Sequence, residues 1–150
     1  MGVQFEIFDE AMAQSLVNAS NALTGLPKFL DARIIEVTPG KLVCTLDVRP
    51  ELLTPFGTLH GGVMAALVDH VLGCVLYPLM EPGQWAATTE FKLNYLAAVK
   101  TGALRAESTV LSLGKRAAVV RVEVTNGDRL VCVAQGTLLV SDPPAARKPA

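Results

Sequence analysis

The 150-residue sequence has almost no net charge, three cysteines and two histidines, and each shortage removes a class of function. Thirteen Lys and Arg against fourteen Asp and Glu leave a formal charge of -1. The basic residues are scattered, and the close pairs are Lys115 with Arg116 and Arg147 with Lys148. That distribution offers no basic face to nucleic acid. Cys44, Cys74 and Cys132 are widely spaced and flanked by apolar residues. With no C-x-x-C and no His/Cys cluster, they predict neither a disulfide framework nor a zinc site, and they read as buried thiols in a reducing compartment. His60 has only His70 nearby, which is a poor basis for a metal site, so no metal or separate cofactor is expected.

The opening stretch MGVQFEIFDEAMAQ carries acids where a secretion signal needs a basic and then an apolar region. Its Met-Gly start is followed by Glu6 where a myristoylation site prefers Ser or Thr. A cytoplasmic protein with no membrane partner is the expectation. The length suits one domain, over residues 1–140, and SDPPAARKPA at 141–150 reads as a disordered tail.

What the sequence does have is apolar patterning of two periods. Phe5, Phe8, Met12, Leu16, Ala19 and Leu23 recur every three or four residues, predicting an amphipathic helix that ends at TGLP, 24–27. LDARIIEV (30–37) and KLVCTLDV (41–48) read as strands of a hairpin turning at TPG. Four more strand-like segments follow at 85–96, 102–114, 115–126 and 129–141. Strands grouped after helices, not alternating with them, predict an antiparallel α+β fold.

Between the two strand groups lies TPFGTLHGGVMAALVDHV, residues 54–71. The apolar run from Gly61 to Met80 is long enough for a membrane span. Asp69 at its centre would cost about 3 kcal/mol there, and His70, Gly73 and Pro78 oppose it further. The run therefore predicts a helix from Gly61 to about Tyr77, apolar nearly all round and wrapped by the sheet.

The order of elements, together with GTLHGGVMAALVD, resembles the hotdog-fold acyl-CoA thioesterases. It is most similar to the subgroup typified by phenylacetyl-CoA and 4-hydroxybenzoyl-CoA thioesterases, over roughly residues 30–140. The motif is G-x-L-H-G-G with an acid nine residues after the His, at the start of an apolar helix. The resemblance implies hydrolysis of an aryl or medium-chain acyl-CoA, by active sites at the interface of a homodimer, within a dimer or a dimer of dimers.

The chemistry asks for a group that polarises the thioester carbonyl and one that attacks or activates water. A helix N-terminus supplies unpaired amides at the positive end of its dipole. Gly61 and Gly62 are the candidates, with Gly62 as the expected main donor. Asp69 is the candidate nucleophile or general base, two roles the residues leave open. Nine residues of helix turn through about 900° and rise about 13.5 Å, so Asp69 lies far from His60 and on the opposite face. One protomer's Asp69 cannot easily serve its own glycine amides, and the resemblance implies that the acid comes from the partner chain.

The resemblance further implies that His60 orients the site and that Thr88 lies near the attacking group. Thr54 stands where many members carry Asn, which marks a departure at the water-positioning position. Lys115 and Arg116 are implied to meet the phosphates of coenzyme A. Leu53, Phe56, Leu59, Met64 and Trp85 are the expected acyl lining, and His70 a structural or interfacial residue. The alternative on the same fold is a non-catalytic acyl-CoA-binding protein. A hotdog dehydratase is less well matched, since its D-x-x-x-x-N-x-x-H pattern is absent.

Overall fold

The computed structural model describes residues 3–20 and 24–143. The helix α1 (Glu10–Ala19) and a short α2 (Gly25–Leu30) precede a hairpin of β1 (Arg33–Thr38) and β2 (Lys41–Asp47). A loop then delivers the chain to α3 (Gly61–Cys74), and β3 (Trp85–Tyr95), β4 (Ala103–Leu113), β5 (Ala117–Asn126) and β6 (Arg129–Ser141) follow. All six strands form one antiparallel sheet in the order β1-β2-β4-β5-β6-β3. β3 therefore lies at the far edge, and the later strands fill the middle.

The core sits between α3 and the sheet. Met64, Leu67, Val68, Val71 and Leu72 form the buried stripe of α3, spaced as one helix face. They pack with alternate residues of the sheet, among them Leu42, Cys44, Leu46, Leu104, Ala106, Val120, Val122, Val124 and Leu138. β6 packs tightly at Gly136, where an added Cβ would stand 2.8 Å from Phe91 Cβ and 3.0 Å from both Glu90 O and Leu72 Cδ1. Only glycine fits there.

The structure corrects several expectations. α1 starts at Glu10 because Asp9 caps it, its carboxylate accepting from the Met12 N–H at 2.9 Å. Phe5 lies outside the helix and packs its ring onto Gly40 (φ +75°) in the β1–β2 turn. TGLP does not end a helix but opens α2, whose Pro27 falls in the first turn, where no N–H is needed. Leu30 consequently belongs to α2, and left-handed Asp31 (φ 55°) closes it before β1 begins. α3 ends at Cys74, and Tyr77–Leu79 forms a separate 3-10 turn. Ser141 is paired with Trp85 in β6, not part of a tail. Leu23 and residues 144–150 lie outside the described residues.

The largest correction concerns α3. The sheet covers one face of this helix only. Ala65, Ala66, Asp69, His70, Gly73 and Cys74 line an open groove on the other side. A Cβ added at Gly73 would meet nothing within 4 Å. Apolar composition all round reflects small residues on the open face, not burial by the chain's own sheet.

Candidate active site

The N-terminus of α3 is built by four hydrogen bonds. The loop before it is tied down by Leu59 N–H to Val99 O at 2.7 Å and His60 N–H to Leu52 O at 2.9 Å. His60 is the N-cap, and its Nδ1 accepts from the Gly62 N–H at 2.9 Å. Tyr95, at the end of β3, donates its hydroxyl to Gly61 O at 2.9 Å.

These bonds explain the glycine pair in steric terms. A Cβ on Gly61 would lie 3.0 Å from Tyr95 Oη and 3.1 Å from its Cζ, while one on Gly62 would lie 3.1 Å from His60 Nδ1. Each glycine makes room for a ring. The Gly62 amide, expected as the main donor to a substrate, is already donated to His60. The Gly61 N–H has no acceptor among the described residues, so it is the unshared amide of the pair.

Gly61 opens onto a cavity of about 380 Å³ lined by Thr58, Leu59, Met64, Tyr95 and residues 96–99. Asp69 lies elsewhere, in the groove of about 810 Å³ on the open face of α3. Eight residues of helix put roughly 12 Å between them along the axis. The groove is floored by Ala65, Ala66 and Gly73 and walled by Thr88, Thr89, Glu90 and Phe91 of β3, with Leu26 of α2 at its side. Asp69 is exposed in the single chain and bonds to nothing among the described residues.

Thr88 joins Asp69 in the groove through an irregularity that alternation does not reveal. β3 pairs Thr88 with Leu138 and Glu90 with Thr137, so Thr89 is an extra, bulged residue. Thr89 Oγ1 donates to Thr137 O at 2.9 Å, whereas the Thr88 hydroxyl has no partner among the described residues. His70 and Cys74 stand one helical turn apart in the same groove, with Sγ 3.7 Å from Nδ1. Burial lowers the His70 pKa, against the opposing pull of Asp69. Burial, helped by the Asp69 charge, pushes the Cys74 thiol up to about 12. A thiol so rarely ionised at neutral pH makes a poor nucleophile.

The remaining expected residues divide. Leu59 and Met64 line the Gly61 cavity. Leu53 bridges to Leu59 and lines neither cavity. Phe56 is 91% exposed at the loop tip, and Trp85 is half-exposed at the start of β3, so neither lines an acyl pocket within one chain. Thr54 closes the 54–58 turn: its N–H donates to Thr58 O, its Oγ1 lies 3.2 Å from Thr58 Oγ1, and it accepts from the Phe56 N–H at 3.3 Å. Lys115 and Arg116 are exposed in the β4–β5 turn. Ala118 pairs with Leu138, and Leu138 with Thr88, so this basic turn sits at the Thr88 end of the sheet. Tyr95 escaped the sequence reading because its partner lies 34 residues away; the two adjacent glycines hint only that something approaches closely.

Residues 56–133 match the family model described as Thioesterase superfamily. The chain belongs to that superfamily. It is 30% identical over 117 residues to the 1,4-dihydroxy-2-naphthoyl-CoA hydrolase of Listeria monocytogenes, covering 77% of this chain and 95% of the relative. It is also 30% identical over 131 residues to human acyl-coenzyme A thioesterase 13, covering 84% and 93%. Among solved structures, the PaaI protein from the phenylacetic acid degradation operon of E. coli superposes with a TM-score of 0.79 at 21% identity, over 89% of this chain and 96% of that one. The fold of this thioesterase-superfamily chain is the expected α+β hotdog, a curved antiparallel sheet with a long central helix packed on it. The chain is a thioester hydrolase with acyl-CoA thioesterase-type function.

Proposed function

We propose that this enzyme hydrolyses an aryl or medium-chain acyl-CoA at sites shared between two protomers of a homodimer, which pairs further into a tetramer. The observation that carries this reading is the division of one helix between two cavities. Gly61, whose N–H is unshared among the described residues, lines one, and Asp69 lines the other with Thr88, whose hydroxyl has no partner among the described residues. Two α3 helices laid antiparallel would bring Asp69 of each against Gly61 of the other.

Two features favour such a pairing. The open face of α3 is made of small residues, Ala65, Ala66 and Gly73, which allow close approach. β3 is an edge strand of 11 residues, whose outer side is a template for a second copy.

In the joined site the Gly61 N–H polarises the thioester carbonyl and holds its developing negative charge. Asp69 attacks the carbonyl carbon to form a mixed anhydride, which water then cleaves, or it takes a proton from attacking water. Both routes consume one water and release the free acid and the thiol of coenzyme A. Thr88 supplies a hydroxyl beside the attacking group, and His60 a ring at the carbonyl end. Lys115 and Arg116, at the Thr88 end of the sheet, meet the anionic coenzyme A. No metal or cofactor enters the proposal, and its setting is the cytoplasm.

Steady-state thiol release from a panel of aryl and medium-chain acyl-CoAs is the test. Turnover of an aryl or medium-chain member supports the proposal. If only short acyl chains react, the substrate assignment is wrong.

A further inference from the structure

The peptide joining Gly61 to Gly62 is held by a ring at each end. Tyr95 Oη donates to its carbonyl and its N–H donates to His60 Nδ1, each at 2.9 Å. The Tyr95 bond is not one the helix needs. A carbonyl in the first turn accepts from the amide four residues on, so the phenol occupies the oxygen's second lone pair. Tyr95 is moreover 56% exposed, where its hydroxyl could be satisfied by water alone.

The direction of the bonds is the same throughout. An Nδ1 that accepts from an amide carries no hydrogen, which leaves the ring hydrogen of His60 on Nε2. Hydrogen bonds arranged head to tail polarise one another. Donation by the phenol to the carbonyl makes the Gly62 N–H a stronger donor, and that N–H in turn makes the Nε2–H of His60 a stronger one.

We infer that Tyr95 is a positioning residue for His60, acting through the peptide that joins Gly61 to Gly62 to hold the imidazole as an Nε2–H donor at the N-terminus of α3. The inference rests on the proposed hydrolysis for its meaning: beside the Gly61 amide, His60 then offers a second N–H to the thioester oxygen. The two glycines are part of the device, since a Cβ on either would push a ring away.

The test reads the tautomer directly. The chain has only two histidines, so long-range proton–nitrogen NMR of the full-length protein, with His60→Asn for assignment, resolves both rings. In the wild type His60 Nδ1 should show the shift of an unprotonated nitrogen. Tyr95→Phe keeps the ring and loses the donor, so the two His60 nitrogens should move toward each other. The same variant should lower kcat about 3- to 10-fold with KM changed less than about twofold, in keeping with a weakened donor. Gly61→Ala, which crowds the phenol, should shift the tautomer in the same direction.

A His60 tautomer unchanged in both variants overturns the inference, whatever happens to turnover. So does a shifted tautomer with kcat unchanged in Tyr95→Phe, and so does a loss of melting temperature that alone accounts for the lower rate, which marks Tyr95 as a brace for the helix. If the wild type turns over no acyl-CoA, the proposed function fails, and the tautomer comparison still decides whether Tyr95 controls His60.

Discussion

The two functional ends of α3 are finished to different degrees. At the N-terminus both rings are held within the chain and the Gly61 N–H is left unshared among the described residues: His60 caps Gly62, Tyr95 holds Gly61, and the loop before them is pinned to Leu52 and Val99. Eight residues on, Asp69 stands on an open face among alanines and a glycine, bonded to nothing among the described residues. The first end is preorganised by one chain. The second is a half-site, and what it lacks is what the first end of another copy would bring.

The sharpest way to break the contrast is at the unfinished end. Asp69→Ala removes the attacking or activating carboxylate and should lower kcat by about 10³-fold or more. Because Asp69 makes no bond among the described residues, the melting temperature should hold to within a degree or two. A large stability loss would mean that Asp69 is a structural buried acid in the assembly.

The next effect probes the sheet behind that end. Gly136→Ala forces a methyl against Phe91, the Glu90 carbonyl and Leu72, and overpacking of this kind costs about 2–3 kcal/mol. Calorimetry should show the melting temperature lower by about 5–10 °C for a domain of this size. An unchanged melting temperature would mean that the groove wall is softer than the contacts imply.

At the finished end, Gly62→Ala presses on the His60 ring 3.1 Å away. The expected result is a loss of roughly tenfold in kcat, with about 1 kcal/mol of stability from the strained cap. Stability loss without a rate effect would reduce the cap to architecture.

The last effect is confined to alkaline pH. Burial pushes the Cys44 and Cys74 thiols up to about 12 from an ordinary value of 9.0. The folded state therefore holds these protons more tightly than the unfolded chain. The stability they contribute is complete below about pH 9 and is lost as pH rises from there toward 12. Denaturant midpoints should fall across that window, and less steeply in Cys74→Ala; equal slopes would contradict the buried-thiol assignment.

Much of this was legible in the sequence, for local reasons. The start of α3 at Gly61 follows from His60 and the glycine pair, and β4, β5 and β6 follow from alternation with tight turns. α2 was hidden because Pro27 reads equally well as a stop or as a first-turn residue. The open face of α3 was hidden because Ala65, Ala66 and Gly73 score as apolar whether a sheet or a second helix covers them. Tyr95 and the Thr89 bulge depend on where β3 lies in the sheet, and strand order across 34 or more residues leaves no mark on local pattern.

The central claim is that each site takes Asp69 from one chain and Gly61 from the other, and mixing two dead variants tests it. Asp69→Ala and Gly61→Val should each be nearly inactive alone. Refolded together in equal amounts, they should regain about a quarter of wild-type kcat, because half the dimers are mixed and each of those holds one intact site. Activity no greater than the average of the two separate variants would contradict the account and place both groups in one chain's site.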